Sequence, residues 1–75
     1  MNQNLIIIDD DEPFRERLAR SMEKRGFIVE TFGSANKAKE CLKENFFTHA
    51  IVDMRLEEGS GLEIIQYILK ISPKT

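Results

Sequence analysis

The 75-residue chain has a single cysteine, Cys41. That excludes an internal disulfide, the usual staple of small secreted domains, and suits a reducing compartment. An excess of one charge is also missing: 11 Lys and Arg against 13 Asp and Glu leave a net charge of -2. Such a balance offers no electrostatic attraction to nucleic acid or to an anionic membrane. Long apolar runs are absent too. The longest, Leu5 to Ile8, is strand-sized and far short of a membrane span. Met1-Asn2-Gln3-Asn4 lacks the basic region and long apolar stretch of a signal peptide, so the expected location is cytoplasmic. There is no internal repeat, low-complexity tract or linker. With 41% hydrophobic and 32% charged residues, the composition is that of one small globular domain whose core can be only marginal in size.

Two kinds of segment alternate along the chain. Leu5-Ile6-Ile7-Ile8 is a continuous β-branched-rich run, as expected of a central strand covered on both faces. After Asp9-Asp10-Asp11-Glu12, Pro13 falls where the first turn of a helix tolerates it. Phe14, Leu18 and Met22 recur every four positions, opposite Arg15, Glu16, Arg20 and Lys24, and Gly26 ends this amphipathic helix as a left-handed cap. Phe27 to Phe32 predicts a more polar strand nearer an edge. Ser34 can cap a helix over Ala35 to Asn45, with Ala38, Cys41 and Leu42 inward. Ala50-Ile51-Val52 predicts a third strand ending at Asp53, followed by a loop from Arg55 to Gly59. Ser60-Gly61-Leu62-Glu63 has the spacing of a capping box. Leu62, Ile65, Ile68 and Leu69 form the expected buried stripe of a third helix, which Ser72-Pro73 stops. The order βαβαβα implies an α/β fold: a parallel sheet with right-handed crossovers and helices on both faces.

Chemistry is expected where the strands end. In an open parallel sheet, ligands bind beyond the carboxyl ends of the strands, and two apolar strands here run directly into aspartate. Neighbouring strands would gather Asp9, Asp10 and Asp53 in one crevice. Two unit charges 4 Å apart repel by about 4 kcal/mol at an effective dielectric near 20. A retained proton or a bound cation must offset this. Oxygen donors without histidine or cysteine suit a hard cation such as Mg²⁺. A metal holding both the Asp53 carboxylate and incoming phosphoryl oxygens would permit in-line attack on phosphorus. The product, an acyl phosphate, suits a reversible switch.

These residues resemble a known family. Ile8-Asp9-Asp10-Asp11-Glu12-Pro13-Phe14-Arg15, Ile51-Val52-Asp53-Met54-Arg55-Leu56 and Gly61-Leu62 look like the signature of the response-regulator receiver domains of two-component systems. The resemblance covers essentially the whole chain. It implies a flavodoxin-like sheet in strand order 2-1-3, with Asp53 as phosphoacceptor for a sensor histidine kinase. It implies Asp10 as a direct Mg²⁺ ligand, Asp9 acting through a metal-bound water, and the backbone carbonyl of Arg55 as a further ligand. Asp11 and Glu12 are left to helix capping. Glu57 stands where receivers often carry proline. The stretch from Asp53 to Leu62, with Asp-Asp-Asp-Glu-Pro-Phe and Met22 to Phe27, is similar to the redox-responding regulators of photosynthesis and respiration genes. Receivers of this family have five βα units, so residues 1–75 are expected to be a receiver incomplete at its C-terminus. They lack the switch Thr or Ser, the phosphate-binding Lys and a DNA-binding output domain. DNA contact is expected only through that output domain, not from this chain. The third strand is expected to be an exposed edge.

An EF-hand is excluded because Pro13 and Phe14 interrupt its ligand pattern. Cys41 fits a core filler better than a redox sensor. His49, at the entry to the third strand, lies at the wrong end of the sheet for the acidic site. Gly59-x-Gly61 lacks a dinucleotide fingerprint and is expected to supply turn geometry. Arg15, Arg17, Arg20, Lys24 and Arg25 read as a solvated face before a kinase contact. An aspartate-nucleophile phosphatase would need an acid two residues after the nucleophile, where Arg55 stands. The alternative function is an interaction or homodimerisation module that is not productively phosphorylated.

Overall fold

The computed structural model describes residues 3–54 and 61–75. Six elements follow in the expected order: β1 (Gln3–Ile8), α1 (Glu12–Lys24), β2 (Phe27–Phe32), α2 (Ala35–Leu42), β3 (His49–Val52) and α3 (Gly61–Ile71). The strands form one parallel sheet in the order β2-β1-β3, as the sequence led us to expect. Ile8 pairs with both Phe32 and Val52. The three strands therefore end on one rung, and Asp9, Gly33 and Asp53 all step off the sheet together.

β1 is central because both of its faces are apolar. Leu5 and Ile7 pack with Ala19, Leu18, Met22, Phe27 and Val29, beneath α1. Ile6 and Ile8 point the other way, into a larger cluster with Ala35, Ala38, Leu42, Phe47, Ile64 and Ile68 from the α2 and α3 side. Strand alternation thus splits one apolar run between two cores. β3 is the exposed edge among the described residues: Ile51 is 39% accessible.

The caps explain the helix limits. The Asp11 carboxylate accepts from the Phe14 amide at 3.1 Å and caps α1, whose first turn holds Pro13. Gly26, at φ 98°, ends it in the left-handed region. Ser34 Oγ accepts from the Lys37 amide at 3.3 Å and caps α2.

Three expectations need correction. α2 ends at Leu42, not Asn45. The Glu44 and Asn45 amides both bond the Cys41 carbonyl, at 3.2 and 3.1 Å, and the Asn45 side chain reaches the same oxygen at 3.0 Å. That crowded acceptor closes the helix in a turn. Phe14 is 43% exposed; Ala19, with Leu18 and Met22, makes the contact of α1 with Leu5 and Ile7. In α3 the buried residues are Gly61, Ile64 and Ile68, while Leu62 and Leu69 are each 50% exposed. The apolar arc of α3 is wide, and the sheet takes only its Ile64 side. Ile65 and Leu69 border an open groove with Ala50 and Val52 beyond the β3 edge.

Candidate metal centre

The common rung at the strand ends builds the site. The Asp53 amide donates to the Ile8 carbonyl at 2.8 Å, and the Asp9 amide donates to the Phe32 carbonyl at 3.0 Å. These two bonds extend the sheet by one step and fix the origins of both aspartates. The Asp9 carboxylate accepts from the Asp11 amide at 2.9 Å. Asp9 and Asp53 are half-buried and Asp10 is exposed.

Asp9, Asp10 and Asp53 each offer an oxygen, and the three atoms lie within 4.8 Å of one another. Oxygens on opposite sides of Mg²⁺ stand about 4.2 Å apart, and around Ca²⁺ about 5 Å. The donor set therefore fits a single hard divalent cation, with side-chain rotation closing the remaining gap. Three carboxylates share this small volume. The gathering of these three carboxylates is as the sequence led us to expect. Arg55, named as a carbonyl ligand, lies outside the described residues, as do Glu57, Gly59 and the Ser60 half of the capping box.

Two nearby residues have roles that the sequence did not disclose. Gly61 has no positive φ, so turn geometry is not its function. It is buried, and a Cβ there would collide with the Asp53 carbonyl oxygen and lie 2.5 Å from Met54 Cα. Its amide donates to the Met54 carbonyl at 3.3 Å. Glycine lets α3 start directly against the backbone that carries Asp53. Arg15, assigned to a solvated helix face, is instead half-buried, and its Nη1 donates to the Asp9 backbone carbonyl at 2.8 Å. An arginine one turn into an amphipathic helix carries no mark that separates these two roles.

The remaining candidates sit elsewhere. His49 pairs with Leu5, three rungs from the acidic end of β3. Its ring meets Phe27 edge-on at 5.1 Å, and its Nδ1 lies 2.9 Å from Thr48 Oγ1. Thr48 Oγ1 is itself tied to the Asn4 amide and carbonyl, at 3.0 and 2.9 Å. This is a structural clasp at the far end of the sheet. The Cys41 thiol packs against the larger core. Burial first, then Glu30 and Glu44, push its pKa up, against a lowering hydrogen bond from Asn45. A protonated thiol is a poor nucleophile, and Cys41 sits partly buried at the margin of the larger core.

A parallel α/β sheet with clustered aspartates at its carboxyl edge defines a class, and known proteins share it. The chain belongs to the response regulator receiver domain family, which matches it over residues 5–75. It is 42% identical over 72 residues to the photosynthetic apparatus regulatory protein RegA of Cereibacter sphaeroides, covering 96% of this chain and 39% of that protein. It is 45% identical over 67 residues to the acid tolerance regulatory protein ActR of Rhizobium meliloti, covering 89% of this chain and 34% of that protein. Among solved structures, it matches a response regulator protein from Burkholderia pseudomallei with a phosphorylated aspartic acid, calcium ion and citrate. That match has a TM-score of 0.93 and 31% identity, over 99% of this chain and 44% of the other. The chain thus spans less than half the length of each of these relatives. Both the family and the resemblance to photosynthesis regulators are as the sequence motifs implied.

Proposed function

We propose that Asp53 is the phosphoacceptor of a two-component receiver, with a sensor histidine kinase as donor. The observation that carries this is the convergence of Asp9, Asp10 and Asp53 within 4.8 Å at the carboxyl edge of the sheet. In this reading Asp10 and Asp53 are direct ligands of Mg²⁺, the Arg55 carbonyl is a third, and Asp9 acts through a bound water. The metal's contribution is to neutralise the carboxylates and the incoming phosphoryl oxygens. An Asp53 carboxylate oxygen forms the bond to phosphorus in line with the departing group, whose bond to phosphorus breaks. The chain's own work is positional. The Asp53 amide is anchored on Ile8, and Gly61 lets the backbone at Asp53 pack against α3.

The residues present comprise the first three βα units of the five-unit receiver, and the switch Thr or Ser, the Lys and a DNA-binding output domain are proposed for the remainder of a longer cytoplasmic regulator. Such a domain is a signalling element, not a metabolic enzyme, and this chain makes no DNA contact itself. Its net charge of -2 agrees with that, and no described helix is long and apolar enough to cross a membrane.

The test is incubation with a small acyl-phosphate donor and Mg²⁺, read by intact mass. The expected result is one phosphoryl adduct, abolished by chelation and by Asp53→Asn. An adduct that persists in Asp53→Asn rules out the site.

One observation favours a second reading, an interaction module. β3 leaves an open edge with Ile51 39% exposed, beside the groove of Ile65 and Leu69, and such edges pair with further strands. Homodimerisation through it predicts concentration-dependent association that Ile51→Lys abolishes and Asp53→Ala leaves intact.

A further inference from the structure

We infer that Arg15 is a positioning residue for the acidic site, fixing the peptide plane that joins Asp9 to Asp10. The inference rests on the metal-binding reading above. Arg15 Nη1 donates to the Asp9 carbonyl oxygen at 2.8 Å. That oxygen belongs to the same rigid peptide as the Asp10 amide. Holding it sets the dihedral at which the chain leaves Asp9, and so the direction in which Asp10 projects. Asp9 is then held at three points: its amide on Phe32 at 3.0 Å, its carboxylate by the Asp11 amide at 2.9 Å, and its carbonyl by Arg15.

The guanidinium is itself held. A Cβ on Gly33 would lie 3.1 Å from Nη1, 3.7 Å from Cζ and 3.9 Å from Nη2. The absence of a side chain at Gly33, the first residue beyond β2, provides the bed on which the guanidinium rests. Arg15 Nε is buried with no hydrogen-bond partner. A side chain on a freely solvated face would turn outward and hydrate that N–H. Arg15 stays because Nη1 has a well-made acceptor and the plane is wedged against Gly33. Arginine suits the task because its planar fork can direct one N–H while the rest of the group packs flat. No ion pair from Arg15 to a carboxylate occurs among the described residues, so its action on the site runs through the backbone.

The experiment uses the full 75-residue chain and needs no phosphorylation. Mn²⁺ uptake is measured by electron paramagnetic resonance of the free ion, with Mg²⁺ as competitor, alongside the carbonyl ¹³C shift of Asp9. Arg15→Met keeps the apolar stem and removes the donors. It is expected to weaken Mn²⁺ binding by about 10- to 100-fold, the range for groups that orient metal ligands, and to move the Asp9 carbonyl resonance. Arg15→Lys, which keeps a donor and the charge, is expected to recover part of that loss. Gly33→Ala leaves Arg15 in place and crowds Nη1. It should move the Asp9 resonance in the same direction and weaken binding less, and it decides the matter if Arg15→Met does not fold. Native affinity in Arg15→Met, or in Gly33→Ala where that variant decides, overturns the positioning role alone. So does full recovery in Arg15→Lys with an unmoved Asp9 resonance, which would assign the effect to charge. Failure of the native chain to take up Mn²⁺ removes the metal reading and this role together.

Discussion

Gly61, the first residue of α3, lies so close to the Asp53 carbonyl oxygen that the two leave no room for a side chain. The atoms a Cβ would meet are backbone, at Asp53 and at Met54 Cα, 2.5 Å away, and backbone cannot swing aside as a side chain can. Two effects oppose each other in Gly61→Ala. Helix propensity favours alanine by up to about 1 kcal/mol. Overpacking costs about 1–3 kcal/mol and more where backbone must move. The clash wins, so a lower urea midpoint is expected, with metal uptake weakened because the backbone at Asp53 is displaced. An unchanged or raised midpoint would show that α3 can tilt freely.

The acidic cluster should lower the stability of the metal-free chain and be relieved by metal. Asp10 is the exposed member, so Asp10→Asn removes its share of the repulsion with little change in packing. Urea unfolding in chelator is expected to show a small gain, below about 1 kcal/mol, since exposed charges are screened. In Mg²⁺ the order should reverse. At 100 times its dissociation constant a ligand specific to the folded state adds about 2.7 kcal/mol. The native chain gains this and Asp10→Asn does not. Equal Mg²⁺ stabilisation of both chains would remove Asp10 from the ligand set.

What the sequence made legible follows from how local each signal is. The central strand could be read because Leu5 to Ile8 has no polar residue, and only burial on two faces requires that. The α1 cap could be read because Asp11 bonds an amide three residues along its own chain. The site could be read because aspartates directly following apolar strands must lie at the sheet's carboxyl edge. The roles of Gly61 and Arg15 escaped the sequence because they depend on what lies opposite in space. The close approach at Gly61 is set by Asp53 and Met54, and the role of Arg15 by the Asp9 carbonyl and Gly33. The shortened α2 depends on three donors competing for the Cys41 carbonyl, a contest that helix propensity does not record.

Cys41 gives the chain a pH dependence at the alkaline end. Its folded-state pKa lies above the ordinary value of 9.0, chiefly through burial. Below the unfolded value the thiol is protonated in both states, and its contribution is fully present. As pH rises beyond it, the unfolded chain loses the proton first and is favoured, so stability falls until the folded pKa is passed. Native chain is expected to lose stability above pH 9.0 more steeply than Cys41→Ala. Alkylation by iodoacetamide at pH 8 should be slower than for the urea-unfolded chain. Equal alkylation rates would place the thiol in solvent and reopen a redox role.

The two apolar halves of α3 should differ sharply in what they contribute. Ile64 is fully buried between α2 and the sheet, whereas Leu69 is 50% exposed beside the open β3 edge. Truncating Ile64 removes buried methylenes and leaves a cavity, a loss of about 3 kcal/mol. Truncating Leu69 removes surface that is already half hydrated, at a cost below about 1 kcal/mol. Urea midpoints of Ile64→Ala and Leu69→Ala measure this directly. The contrast also tests which face of the helix meets the sheet, since the stripe expected from periodicity included Leu69 and omitted Ile64. If Leu69→Ala proved the costlier of the two, the groove beside β3 would have to be closed in solution. Measuring both variants across a range of protein concentrations would then separate closure by a second copy, which weakens on dilution, from closure within one chain, which does not.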